Sequence, residues 1–219
     1  MSTTETIQEQ DGILAWHFLR PDRRLRYKDN QPCELGEGDL VEEGKTLSYD
    51  GELELCRSGM HGSIKVLDAL QYVPGYVVSR VKLWGSVVRS DDKIVASHRT
   101  CLWILDQEDV MHEFACWCAE QSFEIQRKAG KEPDPRSIAA VEAKRKWLRK
   151  EITDTELEAA RSAAWSAESA ARSAQSAAWS AESAARSVAQ SAAWSAARSA
   201  QNEELERLLS AAYERLQSS

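Results

Sequence analysis

Three residues lie close enough along the chain to do chemistry together: Cys56, Ser58 and His61, within Leu55-Cys56-Arg57-Ser58-Gly59-Met60-His61-Gly62-Ser63. A cysteine and a histidine within hydrogen-bond reach make a thiolate nucleophile, provided a third group orients the histidine. Asp68 is the acid nearest at hand for that role. The same stretch can serve without reacting. If Ser63 caps a short helix over 64–72, the free N–H groups of its first turn attract an anion, and Cys56, Ser58, His61 and Ser63 become ligand-binding residues. The simplest reading is structural, with Cys56 as the inward end of a strand and His61 bonding to backbone in a turn. The stretch is not a phosphate-binding loop of the Gly-x4-Gly-Lys kind. No residue is assigned a catalytic role.

Metal chemistry has weaker support. Cys56 and His61 could ligate zinc, but no second pair stands at zinc-site spacing, and Cys116 and Cys118 would point to different sides of a helix. Neither a metal nor a cofactor is expected. Five cysteines, an odd number with no secretory leader, read as reduced thiols. His17, His98 and His112 are isolated. Arg23-Arg24-x-Arg26 is a basic patch in an acidic chain, either a solvated turn or a contact for an acidic or phosphate-bearing partner. The net charge of −7 argues against non-specific binding to DNA or RNA. No apolar run reaches the length needed to cross a membrane. The polar start, MSTTETIQEQDG, lacks a leader's basic and apolar regions, so a soluble protein of the bacterial host cytoplasm is expected.

The elements that would position these residues are strands. ILAWHFLR (13–20), the alternating ELELC (52–56), YVVSRVKLWG (76–85), KIVAS and TCLWIL (100–105) read as strands separated by Gly, Pro and Asp turns. Residues 1–11 read as polar and frayed. Helical pattern begins near 107, ends at Gly130, and restarts at Pro135 after an Asp134 cap. Thr153-Asp154-Thr155-Glu156 is a capping box that opens another helix. The fold class expected is α+β: a small sheet-rich N-terminal domain (12–106), connecting helices (107–152), then a long Ala-rich helical region, coiled coil or bundle (153–219).

Within that last region, serine opens alternating units of four and three residues over 162–201, a heptad of the form Ser-Ala-Ala-(Trp/Arg)-Ser-Ala-(Glu/Gln). The alanines share one arc of the helix. Opposite them run Trp165, Arg172, Trp179 and Arg186, and a slip of register near Val188 turns Trp194 away from that line. Tryptophan and arginine are enriched at interface hot spots, so these five residues are interaction candidates, for another copy of the chain or a host protein. The alternative is that the tryptophans pack within their own chain. Leu205, Leu208, Leu209, Ala212 and Leu216 form a stronger seam, suited to oligomerisation or bundle closure.

Two stretches carry a resemblance. Leu55, Cys56, Ser58, Gly59, His61, Leu67, Asp68, Tyr72, Gly85, Lys93 and Ala96 fall in a pattern that resembles an uncharacterised domain of phage and bacterial proteins, with departures at Met60 and Gly62. The run from CAEQSFEI to the first alanine repeats resembles the alanine-rich helical module of phage and bacterial immunity-type proteins. The resemblance implies a phage or prophage accessory context and no particular chemistry. The expectation is a non-enzymatic interaction protein, with a role in counter-defence, that self-assembles through its repeat and binds a host protein or a small nucleotide ligand. Its competitors are an enzyme of nucleotide or ADP-ribose type with a pocket near Cys56–His61, and a structural rod.

Overall fold

Two runs rich in valine, isoleucine and leucine, joined by a short polar turn, form the hairpin on which the N-terminal sheet is built. In the computed structural model the described residues are 4–28, 31–72, 74–106, 108–162 and 187–218. The strands are β1 (Thr4–Ile7), β2 (Ile13–Leu19), β3 (Tyr27–Lys28), β4 (Gln31–Pro32), β5 (Thr46–Ser48), β6 (Met60–Gly62), β7 (Val77–Arg89) and β8 (Ile94–Asp106). β7 and β8 pair antiparallel along their length, with irregularities at Arg80/Val81 and Trp84/Val87 that bend the ribbon. β2 lies along the first half of β7 and β1 along the second half. β5 and β6 share β8 in the same way, while β3 and β4 form a separate small hairpin.

The sheet curls until its ends meet. Just past β6, Ser63 exchanges backbone hydrogen bonds with Trp16 of β2, at 2.7 and 3.0 Å. The closure is tight at this point: a Cβ on Gly62 would lie 3.1 Å from the Ala15 Cβ and 3.2 Å from Leu83 Cδ1. Inside the curl, Ala15, Met60, Val81, Leu83, Val87, Ile94 and Ala96 pack together, and Leu19, Val41, Val77, Cys101 and Ile104 form a second cluster.

Two local expectations change. Residues 4–7 are not frayed: they form edge strand β1, anchored by an ion pair between Glu5 and Arg89. ELELC is not a strand either. Glu54 and Ser58 bridge each other across a tight turn, and Cys56 sits near its tip, exposed.

Helices follow in the order α1 (Val66–Leu70), α2 (Glu108–Lys128), α3 (Pro135–Leu148), α4 (154–162) and α5 (Ser187–Gln217). Asp134 caps α3 by accepting from the Arg136 amide at 2.8 Å. The Thr153–Glu156 capping box is present, with the Thr153 amide donating to Glu156 at 2.9 Å and the Glu156 amide to Thr153 Oγ1 at 3.3 Å. Between α2 and α3, Glu120 and Arg145 form a two-pronged ion pair at 2.9 and 2.8 Å.

The expectation of an α+β head followed by a long alanine-rich coiled coil or bundle is overturned. α2 and α3 are short, at 21 and 14 residues. The chain divides into one unit of Met1–Glu108 with Leu205–Ser219, and a second of Asp109–Glu204. The end of α5 thus belongs to the sheet unit. Tyr213 stacks on Trp103 of β8 with ring centroids 4.6 Å apart, Trp103 meets Trp16 edge-on at 5.5 Å, and Glu206 lies 3.8 Å from Arg80 of β7. Leu205, Leu209 and Ala212 are buried. The physical reason is that this seam finds an apolar, aromatic sheet face in its own chain, whereas an alanine arc offers little area to bury. Trp165, Arg172, Trp179 and Arg186 lie outside the described residues, as does the side chain of Trp194.

Candidate functional site

The inner end of β2, the loop after it, the 54–58 turn, β6 and the end of α1 surround a cavity of about 340 Å³ in the sheet unit. The loop that walls one side is organised by its own charges. Arg20 donates to the Cys33 and Leu25 carbonyls, both at 2.9 Å, and Asp22 accepts from the amides of Arg24 and Gly36. Arg24 donates to the Gly38 carbonyl at 2.8 Å. Gly38 has no room for a Cβ, which would overlap the Leu25 carbonyl. This scaffold turns Arg24 and Arg26 toward the cavity.

Across from it, the turn that carries Cys56 holds that residue at φ 67°, a left-handed conformation costing a non-glycine residue roughly 1 kcal/mol. The Cys56 amide donates to His61 Nε2 at 3.0 Å, and His61 Nδ1 lies 3.1 Å from the Gly59 carbonyl. With Nε2 accepting, the proton is on Nδ1 and is donated to Gly59. Burial, with the Arg99 charge beside it, pushes His61 down to about 4. His61 is therefore a neutral imidazole with both nitrogens committed to backbone. It holds the turn and is not placed to take a proton from Cys56. The Cys56 sulfur instead meets Lys93 Nζ at 2.6 Å.

The other expected ligand residues have different places. Ser58 is buried and donates to the Glu52 carbonyl at 2.6 Å, away from the cavity lining. Ser63 lines the cavity, but its backbone is engaged with Trp16 and it does not cap α1. That helix is five residues long, begins after Lys65 and has no side-chain cap, so its start supplies no anion site.

What the structure adds is Arg99. It projects from β8 into the lining and is only 3% exposed. Nη1 donates to the His61 carbonyl at 2.8 Å, whereas Nη2 is buried with no hydrogen-bond partner among the described residues. Burial pushes this guanidinium down to about 10. His17 of β2 also lines the cavity; its Nδ1 is buried without a partner among the described residues, and burial, then Arg99, His61 and Arg26, hold it well below its ordinary value. Both imidazoles are thus neutral. Among the described residues of the lining, Arg24, Arg26, Arg57, Lys93 and Arg99 are cationic and Asp39 alone is anionic. A buried cation left unpaired is costly, and a cavity lined by one sign of charge draws in the opposite sign. The arrangement suits an anion. Tyr49 and Tyr72 add ring surface to its wall.

Sequence reasoning missed Arg99, Lys93 and His17 as site residues. The available signal was an arginine, next to His98, in the otherwise apolar and hydroxylic run IVASHRTCLWIL. Among the described residues, no group of three or more His, Cys, Asp or Glu could hold a metal ion. No helix among them is long and apolar enough to cross a membrane.

Fold and site together define a curled antiparallel sheet domain with a cationic internal cavity. Residues 36–113 match the family model of a domain of unknown function (DUF7666), in keeping with the uncharacterised domain expected over this part of the chain. The match spans β5 to β8 and includes Cys56, His61, Lys93 and Arg99. β2, Arg24, Arg26 and the end of α5 lie outside it. No curated protein matches the chain, and no solved structure does.

Proposed function

We propose that the sheet unit is a binding domain for a small phosphorylated molecule, held in the cavity by Arg99 with Arg24, Arg26 and Lys93 around it. The observation that carries this reading is the buried guanidinium of Arg99, whose Nη2 has no partner among the described residues. The bond from Nη1 to the His61 carbonyl offsets only part of the cost of burying this group, which an apolar residue there would avoid. A phosphate oxygen would supply the missing acceptor, and arginine is the side chain best matched to it. At about 340 Å³ the cavity is at the small end of ligand pockets, which run from about 300 Å³ upward. That size favours one phosphorylated sugar or mononucleotide over a polymer. Binding is favoured over nucleophilic catalysis because His61 spends both ring nitrogens on backbone.

The test is thermal unfolding and calorimetry of the full chain with inorganic phosphate, mononucleotides and ADP-ribose, each against sodium chloride at matched ionic strength. Stabilisation by a phosphorylated ligand that vanishes in Arg99→Met supports the reading. Equal responses of wild type and variant, or none to any of these ligands, overturn it.

A further inference from the structure

The contact between Cys56 and Lys93 is not accounted for by anion binding. Nζ lies 2.6 Å from Sγ. That is shorter than the roughly 2.7 Å lower limit of ordinary N–H···O hydrogen bonds, although sulfur is much the larger acceptor. The two groups come from separate places, one from the 54–58 turn and one from the end of the β7–β8 hairpin, and each is held. Cys56 is fixed by its left-handed backbone and by the bond from its amide to His61. Lys93 also donates to the Tyr72 hydroxyl at 2.8 Å and lies over that ring at 4.2 Å, and Tyr72 in turn donates to Asp92. Cys56 is exposed, whereas Cys101 and Cys116 are buried. An oxidant in solution therefore meets Cys56 readily, and the product finds an amine already against it.

We propose that Cys56 and Lys93 are the two halves of an oxidative crosslink, in which one oxygen atom joins Sγ to Nζ, and that peroxide forms it. One peroxide oxidises the thiol to a sulfenic acid and releases one water. Lys93 gives up its ammonium proton to solvent, and its nitrogen then bonds to the sulfenic oxygen. A second peroxide takes the two electrons withdrawn in that step, and two waters leave. The pair has lost four electrons in all, and the product is Sγ–O–Nζ with one hydrogen left on the nitrogen. A nitrogen bonded to oxygen is a weak base, so the cavity loses one of its cations. The consequence for binding rests on the phosphate reading; the crosslink does not.

The experiment treats the reduced full-length protein with hydrogen peroxide and maps it by tandem mass spectrometry, with Cys56→Ser and Lys93→Arg as controls. The expected product is a pair of peptides joined through residues 56 and 93, with the mass of both plus one oxygen less two hydrogens, absent from both variants. A link lacking the oxygen, a Cys56 found only as sulfinic or sulfonic acid, a disulfide to another cysteine, or no reaction overturns the crosslink. In the second arm, phosphate affinity of the crosslinked protein is expected to fall about threefold, the size of losing one partly exposed ion pair. Unchanged affinity overturns the control by charge. Failure of the unoxidised protein to bind any phosphorylated ligand sinks the binding reading alone.

Discussion

At Arg99 the fold keeps a charge that it does not neutralise. Replacing it with methionine removes one hydrogen bond, to the His61 carbonyl, worth about 1 kcal/mol. The same change removes the cost of a buried, half-satisfied cation, which is several kcal/mol. The Arg99→Met protein is therefore expected to unfold no earlier than wild type without ligand, by calorimetry, while losing its response to phosphate. His61 gives a second expectation. Its value falls from 6.5 to about 4 on folding, so between these pH values the unfolded chain takes up a proton that the native ring refuses. Stability is then full above about pH 6.5 and declines as pH falls toward 4, by about 3 kcal/mol from this residue. His17 acts in the same direction. Imidazole titration by NMR should find His61 neutral, with its proton on Nδ1, down to near pH 4. A ring that charges near pH 6.5 would refute the assignment.

Among the elements, the end of α5 has the most to say about stability. Leu205 and Leu209 are almost fully covered, at 0% and 1% exposed. Leu209→Ala should cost about 3 kcal/mol in denaturant unfolding of the sheet unit, if it leaves an uncollapsed cavity; the exposed Leu216 changed to alanine should cost little. Much of this layer was legible beforehand. β2, β7, β8, α2 and α3 announce themselves by local periodicity, and the Asp134 and Thr153 caps by residue type, because those signals live within a few residues. The failures are of another kind. ELELC alternates as a strand should, yet Glu54 and Ser58 close on each other and leave it a turn. β1 is polar and is ordered by its neighbour β7, not by its own pattern. The seam at 205–212 was visible, but its partner is a sheet far away in sequence, which no local rule names. For the same reason the candidate site was half legible. Cys56 and His61 stand together in the chain, whereas Arg24, Lys93 and Arg99 converge only once the sheet curls.

For the whole molecule, charge is sorted by place. The chain carries a net charge of −7, and the lining of the cavity is predominantly cationic. An anionic ligand is thus repelled by the protein at long range and attracted by the cavity at short range. Salt screens both, but it reaches exposed charges far more than the buried Arg99. Affinity for phosphate should consequently change by less than tenfold between about 0.01 and 0.15 M salt, as read by calorimetry. A steep fall would mean that surface cations, not Arg99, hold the ligand.

Tyr213 resting on Trp103 also bears on how the protein is made. A ribosome delivers β1 through β8 long before it delivers Leu205–Gln217. Throughout that interval the emerging sheet carries an uncovered tryptophan face, sticky toward neighbouring chains and toward chaperones. Its burial waits on codons far downstream of those that specify the sheet.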